Sequence, residues 1–189
     1  SETTEEELSR LQRAASGDGV FARFLTDRSS KATLAEYVAE GNAKQMGDSE
    51  WVDELKSWVR FNGRHAAATR DGLYAASMGN PQVPKWLGKL IFRLALNPKK
   101  QSQKDDEHIR SSAGFVVFVS EVNNPAHWVK AGRAYERFAL QATAMGMQTA
   151  FVNQPVEVPE LRDRLARWLG IEQYRPDLIV RFGWGPQMP

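Results

Sequence analysis

The segment from Asn124 to Gly146 limits the folds available to this chain more than any other. Asn124 is a favoured N-cap, Pro125 suits the first helical position, and Gly146 suits the position just beyond a helix end. These signals predict a helix of about 20 residues, roughly 30 Å long. Apolar residues cover more than one stripe of it, so most of the helix is expected to be buried. Its predicted core-facing residues are Tyr135, Phe138, Ala142 and Met145.

Three short apolar runs are predicted to be strands. Phe115 to Val119 is continuous and bounded by turn residues, which is typical of a central strand buried on both faces. Thr149 to Val152 resembles an interior strand, and Asn153-Gln154-Pro155 then follows as a polar loop. Asp177 to Phe182 is the third run. With about six helices in mixed order, the pattern predicts a layered α+β or α/β domain.

Further amphipathic helices are predicted from caps and apolar periodicity. They are expected at Thr4 to Ala15, after Asp48, after Pro84 and from Pro159 to Leu169. Between two of them, Phe61 to Pro84 is rich in glycine and proline, with turn signals that include Gly79-Asn80-Pro81. That stretch is interpreted as a long loop of the kind that forms a lid, a binding segment or an arm.

Two polar segments have alternative interpretations. Arg28-Ser29-Ser30-Lys31 is either a phosphate-binding helix start or a helix whose N-cap is Ser30, and no glycine-rich loop supports the first. Lys85 to Lys104 is basic and is followed at once by Asp105-Asp106-Glu107. Adjacent blocks of opposite charge favour a solvated, mobile connection around Asn97 to Gln103 over a nucleic-acid patch.

Composition excludes several classes of function. The chain has 189 residues, a formal net charge of +2 and no cysteine. That length suits one domain, residues 1–189, with a fold that buries roughly 70% of the unfolded surface. Disulfides, thiolate metal sites and cysteine nucleophiles are excluded, and the charge does not indicate nucleic acid. The longest apolar run is far short of a bilayer span and no leader is visible, so we expect no membrane segment and a cytoplasmic location.

Sequence templates for protein-based catalysis do not match. His65, His108 and His127 are far apart and lack the spacing of zinc ligands. There is no nucleophile elbow or P-loop, and Gly183-Trp184-Gly185 lacks the third glycine and the helix of a dinucleotide fingerprint. Any chemistry is therefore expected to depend on a bound cofactor.

Several blocks together resemble the nitroreductase-like flavoprotein superfamily, particularly its Acg-type branch, whose members are often assigned a twin-arginine leader. The matching blocks, between Lys31 and Pro189, are ELKSWVRFN, RDGLYAASMGNPQVPKWLG, SSAGFVVFVS, GRAYERFALQATAMGMQTAFVNQPVEV, LRDRLARWLG and RPDLIVRFGWGP. The resemblance implies an α+β fold with a central mixed sheet flanked by helices, and FMN bound in a cleft between two related halves.

The same resemblance implies an activity and a set of cofactor-binding residues. NAD(P)H would reduce FMN, and a nitroaromatic, a quinone or a similar small molecule would reoxidise it. The flavin ring is expected beside Phe151, Asn153, Gln154 and Pro155, because a polar loop after a buried strand can offer a backbone donor to the ring. Arg181 and Gly183 are expected to contact the cofactor as well.

Two family segments that bind the flavin phosphate are not seen in this sequence, namely an N-terminal Arg-x-Ser-x-Arg segment and a basic segment after Gly-x-Gly-Pro. Three alternatives to a complete enzyme follow: a fragment, a structural half-domain that a partner completes, and a non-catalytic protein that sequesters flavin beneath the loop from Phe61 to Pro84. The chain is expected to form a homodimer or to be completed by a partner. Too few phosphate contacts would weaken FMN binding.

Overall fold

The computed structural model describes residues 3–78, 81–95 and 97–185. The helices in these ranges are α1 (Glu5–Ala15), α2 (Arg28–Gly47), α3 (Ser49–Trp58), α4 (Gly63–Thr69), α5 (Lys85–Ala95), α6 (Pro98–Ser111), α7 (Pro125–Ala144), α8 (Gln154–Glu157) and α9 (Pro159–Trp168). The strands are β1 (Val20–Leu25), β2 (Val59–Arg60), β3 (Leu73–Tyr74), β4 (Gly114–Ser120), β5 (Gln148–Phe151) and β6 (Arg175–Gly183). A 3₁₀ helix covers Ala75–Met78.

The chain divides into two compact units, one formed by Ser1–Gly41 with Ser102–Pro189 and the other by Asn42–Gln101. The first holds a four-stranded sheet in the order β1-β4-β6-β5. Every neighbouring pair is antiparallel, because β6 runs opposite to both β4 and β5 and β1 runs opposite to β4. The predicted α+β class is confirmed, but this sheet is antiparallel where a mixed sheet was expected.

Strand β4 is the centre of the core, as predicted. All seven of its residues are buried. Phe115 and Val117 join a cluster with α2 and α9, whereas Val116 and Phe118 join a cluster with α1 and α7. The alternation follows from the two-residue period of a strand, and it places helices over both faces of the sheet.

Helix α7 has the predicted ends. Asn124 accepts a hydrogen bond from His127 N, and Gly146 has a φ of 72°, a conformation that favours glycine. Only one face is buried, through residues such as Phe138 and Ala142, whereas Leu140 is 65% exposed, so the prediction of a mostly buried helix was too broad. None of the described helices is both long and apolar enough to cross a bilayer.

Two strand predictions need correction. Strand β5 lies at the edge of the sheet, not in its interior, and among the described residues it pairs with β6 alone. The opposite edge, β1, was not predicted, because exposed Arg23 interrupts its apolar pattern between buried Val20 and Leu25. An edge strand needs burial on fewer sides, so its apolar signal is weaker than that of β4.

At the start of α2 the structure favours a helix cap over a phosphate-binding site, but the capping residue is Asp27 and not the predicted Ser30. Asp27 accepts hydrogen bonds from Ser30 N at 2.8 Å and from the Ser29 hydroxyl at 2.6 Å. These bonds hold the pKa of Asp27 far below its ordinary value of 3.8. Asp27 therefore carries a negative charge at the helix N-terminus, in the place where an anionic ligand would have bound.

The second unit is more ordered than its sequence suggests. The predicted loop from Phe61 to Pro84 contains α4, β3 and the 3₁₀ helix, because Asn62 caps α4 and β3 pairs in parallel with β2. The prediction of a continuous long loop is therefore wrong, and the role of this segment as a lid stays a prediction. Gly79 and Asn80, part of the predicted turn, lie outside the described residues, as does Pro186.

Other predictions in this part of the chain have mixed outcomes. Asp48 caps α3 as predicted, and Trp58 at the end of that helix is 49% exposed. The predicted mobile connection from Asn97 to Gln103 is wrong. Helix α6 begins there, since Asn97 accepts a hydrogen bond from Lys100 N at 3.1 Å and Pro98 suits the first helical position.

Candidate functional site

A cleft of about 460 Å³ lies where β6 ends, within the unit that holds the sheet. This volume is in the range typical of small-molecule sites. The lining residues come from the end of α6, the start of β5 and the end of β6. They are His108, Ser111, Ser112, Gln148, Thr149, Ala150, Arg181, Phe182, Gly183, Trp184 and Gly185.

Backbone pairing brings these segments together. In the β5–β6 ladder, Ala150 is opposite Arg181 and Gln148 is opposite Gly183. Ala113 N donates a hydrogen bond to Phe182 O at 3.0 Å. Because Ala113 is the second residue after α6, this bond joins the end of α6 to β6. The end of α6 and the two strands therefore form one continuous wall around the cleft.

Arg181 is the main electrostatic feature of the cleft. Its side chain is half-buried, and burial lowers the pKa of its guanidinium, although nearby Asp105 acts in the opposite direction. No hydrogen bond or ion pair joins this guanidinium to another residue in the described part of the chain. A half-buried arginine that lacks a carboxylate partner is suited to bind an anionic ligand.

His108 lies on the same cleft and is close enough to Arg181 to be affected by its charge. Burial lowers the pKa of His108, the positive charges of Arg181 and Lys104 lower it further, and Asp105 opposes them. The imidazole is therefore favoured in its neutral form, in which one ring nitrogen donates and the other accepts a hydrogen bond. In the sequence, His108 was considered only as a metal ligand; its position beside Arg181 depends on folding.

The residues predicted after β5 occupy a different environment. The expected polar loop is one turn of helix, α8, because Asn153 Oδ1 accepts from Ile179 N at 2.8 Å and its carbonyl accepts from Val156 and Glu157. Pro155 is buried. A Cβ on Gly41 would lie 2.7 Å from Gln154 Cβ, so α2 packs directly against α8.

Phe151 lies on the opposite face of the sheet from Arg181. It pairs with Val180, and neighbouring residues of a strand point to opposite faces. Its ring contacts Tyr135 of α7 at a centroid distance of 4.6 Å, and the side chain is 48% exposed. Of the six predicted residues, Arg181 and Gly183 share the cleft, three lie in or beside α8, and Phe151 faces α7.

No protein-family model matches the chain. Two curated relatives are similar in sequence: "Putative NAD(P)H nitroreductase Rv3131" of Mycobacterium tuberculosis strain H37Rv and its counterpart MT3217 in strain CDC 1551. Each is 28% identical over 177 residues, which is 92% of this chain and 47% of the relative. The chain thus spans about half the length of the curated relatives it matches.

Solved structures show the same fold at low sequence identity. The FMN-dependent nitroreductase NfnB of Mycobacterium smegmatis, in complex with NADPH, has a TM-score of 0.60 at 14% identity, over 98% of this chain and 80% of that one. The FMN-bound nitroreductase of Bacteroides fragilis has a TM-score of 0.56 at 14% identity, over 100% and 83%. NADPH:FMN oxidoreductase of Vibrio harveyi has 0.53 at 14%, over 99% and 62%.

Proposed function

The chain is nitroreductase-like in sequence and fold, and on that basis we propose that it is a flavin oxidoreductase. In this proposal it binds FMN, accepts hydride from NAD(P)H and transfers electrons to a nitroaromatic, a quinone or a similar small acceptor. The named activity of the curated relatives and the FMN and NADPH in the related structures support it. The observation that carries it in this chain is the Arg181 guanidinium in its cleft.

The residues around Arg181 fit a ligand that combines an anion with a flat ring. Ser111 and Ser112 line the cleft with hydroxyl groups that donate to the His108 carbonyl and can still accept a hydrogen bond, and Trp184, 37% exposed, offers an aromatic surface. FMN, when bound, supplies the hydride and electron chemistry. We assign to Arg181 the binding of an anionic part of the cofactor, and to the hydroxyl groups its orientation by hydrogen bonds.

Contact between the flavin ring and Phe151, Asn153, Gln154 or Pro155 stays a prediction. The bond from Ile179 N to Asn153 supports a different role for that residue, since it fixes α8 to β6. The contacts of the described residues thus favour Arg181 and Gly183 as the first positions to test. The ring-side residues are a second target.

We also propose that the active form contains a second chain or a further segment. The chain matches only 47% of its curated relatives, β5 is an edge strand, and Leu140 and Phe151 expose large apolar surfaces. Exposed edges and apolar patches commonly mark surfaces that pair with another chain. Size-exclusion chromatography with light scattering tests the homodimer directly. A cytoplasmic location also stays a prediction.

The main experiment is a flavin titration. The purified chain is mixed with FMN, and bound flavin is measured by absorbance at about 450 nm after gel filtration. We expect binding, and bleaching of the bound flavin by NADPH without oxygen. Arg181→Gln should weaken FMN binding at least about tenfold, because it removes a charge-assisted contact. The control is Arg23→Gln, which removes an exposed arginine on the opposite edge strand.

The possible outcomes separate the functions. If neither the chain nor its dimer retains FMN, the proposal is wrong for this chain. If FMN binds but NADPH cannot bleach it, the protein binds flavin without turnover. If both arginine variants behave like the parent protein, the cofactor binds outside the Arg181 cleft.

A further inference from the structure

A second groove, of about 480 Å³, lies at the opposite end of β6 from the Arg181 cleft. Its walls come from the loop after β4, from α9 and from the first residues of β6. The polar residues that matter most are Asn123, Arg162, Arg167, Tyr174 and Arg175. Nothing in the proposed flavin chemistry uses this groove.

Among the residues that the structure describes, Arg162 forms no ion pair with a carboxylate, although Asp177 and Asp163 are near enough to affect its pKa. Its side chain is half-buried, and both Nε, at 2.6 Å, and Nη2 donate to the carbonyl of Val156, so the guanidinium is held in one orientation. Within residues 3–78, 81–95 and 97–185, Arg162 takes part in no ion pair. Burial lowers the pKa of Arg162 and the positive charge of Arg175 lowers it further, while Asp177 and Asp163 oppose them.

Arg175 is also held in place, by an ion pair with Asp177, and this carboxylate accepts a second hydrogen bond. Its Nε donates to Asp177 at 2.9 Å, and the same carboxylate accepts the hydroxyl of buried Ser120. The guanidinium lies 6.0 Å from the ring centre of Trp128, whose Nε1 donates to Asn123 at 3.0 Å. The two half-buried guanidiniums of the groove thus lie near one poorly exposed carboxylate, Asp177, which forms an ion pair with Arg175.

We propose that this groove binds a phosphate group, either free phosphate or a phosphate monoester. The N–H groups that these bonds leave on each guanidinium can donate to phosphate oxygens, and two guanidiniums that are already oriented lose little entropy on binding. Arg167 adds an exposed cation at the rim. Asp163 and Glu172 also line the groove, but both are exposed, so water and salt screen their charges more than those of Arg162 and Arg175.

The test is a titration of the full chain with inorganic phosphate, followed through the assigned arginine Nε–H signals in NMR spectra at constant ionic strength. We expect saturable shifts at Arg162 and Arg175. Arg162→Gln should weaken phosphate binding about tenfold. Arg167→Gln should weaken it about threefold, and because this residue is exposed, the variant should keep its fold.

Two control variants separate this site from others. Arg164→Gln changes the same helix but removes an arginine that already pairs with Glu40 at 2.7 Å, so phosphate binding should not change. Arg181→Gln should leave phosphate binding intact even if it abolishes FMN binding. The proposal is overturned if Arg162→Gln and Arg167→Gln both bind like the parent, or if the shifts are spread equally over exposed arginines such as Arg164.

A parallel titration with AMP distinguishes the source of the phosphate. AMP carries the same group on an aromatic nucleoside, and Trp128 lies beside Arg175 at the edge of the groove. Tighter binding of AMP than of inorganic phosphate supports a phosphate ester as the ligand. Equal affinities support a site for the phosphate group alone.

Discussion

Arg60 and Arg181 are two poorly exposed arginines in different units, and they differ in whether other groups of the protein bind their guanidiniums. Arg60 is 7% exposed, and its guanidinium donates to Thr69, to the carbonyl of Ser57 and twice to Asp71, at distances of 2.6 to 3.0 Å. Arg181 is half-buried and has no such partner among the described residues. Burying a charge is costly unless hydrogen bonds and an opposite charge offset the lost hydration.

This difference indicates two uses of the same side chain. Arg60 closes the turn between α4 and β3, so its hydrogen bonds stabilise local structure. Gly72, where φ is 74°, leaves space for the Arg60 guanidinium, because a Cβ at that position would lie 2.8 Å from Arg60 Cζ. Under the proposed function, the hydrogen-bonding capacity of Arg181 is left for a ligand. The comparison therefore predicts opposite effects on stability and on binding when each arginine is removed.

The largest effect is expected from Arg60→Ala. It leaves the acceptors around the turn without their donor, and we expect a loss of about 3 kcal/mol in the free energy of unfolding. Denaturant unfolding followed by tryptophan fluorescence measures this loss. Arg60→Lys is the matched variant, and because an ammonium cannot reproduce the planar fork, it should recover only part of the stability. A loss below about 1 kcal/mol for Arg60→Ala would contradict a structural role.

The reverse pattern is expected for Arg181→Gln. Removing a half-buried charge that forms no ion pair among the described residues should leave the free energy of unfolding unchanged within about 0.5 kcal/mol, or raise it slightly. The cost should appear in ligand binding, as the weakening of FMN affinity proposed above. Unfolding curves and flavin titrations on the same protein samples test both halves. An Arg181→Gln variant that loses stability but keeps its FMN affinity would show that Arg181, like Arg60, has a structural role.

A smaller effect is expected from Asp71→Asn. The Asp71 side chain is 51% exposed, so solvent weakens its pair with Arg60, and the stability loss should be clearly below that of Arg60→Ala. The hydrogen bond from Arg60 lowers the pKa of Asp71 from 3.8. Its stabilisation is therefore complete above pH 3.8 and is lost as the pH falls further. Unfolding curves between about pH 6 and pH 3 should show a weaker acid dependence in Asp71→Asn.

The regular elements with strong local signals were predictable. The signals that predict α7, its N-cap and its final glycine, are next to the helix in the sequence. The continuous apolar run of β4 indicates burial on both faces. Weaker signals were misread. Glycine and proline suggested a loop at α4, but Asn62 and the pairing of β2 with β3 order it. The charges of α6 suggested a mobile connection, although Asn97 and Pro98 start a helix there.

The candidate site was predictable only in part. Arg181 and Gly183 were named through family resemblance and line one cleft, and their contact with the cofactor stays a prediction. His108 was missed as their neighbour because α6 and β6 meet only after the sheet forms. The position of Asn153 was likewise hidden, because its side chain bonds to Ile179 in a later strand. Local patterns carry no information about contacts between segments that are distant in the chain.

The smallest effect is expected in the titration of His108. Burial and the charges of Arg181 and Lys104 lower the pKa of His108 from 6.5, so the unfolded chain takes up a proton at a higher pH than the folded one. Stability should therefore fall as the pH drops below 6.5, and His108→Gln should reduce that fall. Arg181→Gln should raise the pKa of His108, measured by NMR, because it removes a positive charge that no carboxylate among the described residues pairs with. Arg60 should affect the pKa of His65 less, since Asp71 offsets the charge of Arg60. Burial and the charge of Lys85 also lower the pKa of His65 more than Arg60 does. An unchanged His108 pKa in Arg181→Gln would show that the Arg181 charge is already neutralised, and the contrast with Arg60 would then fail.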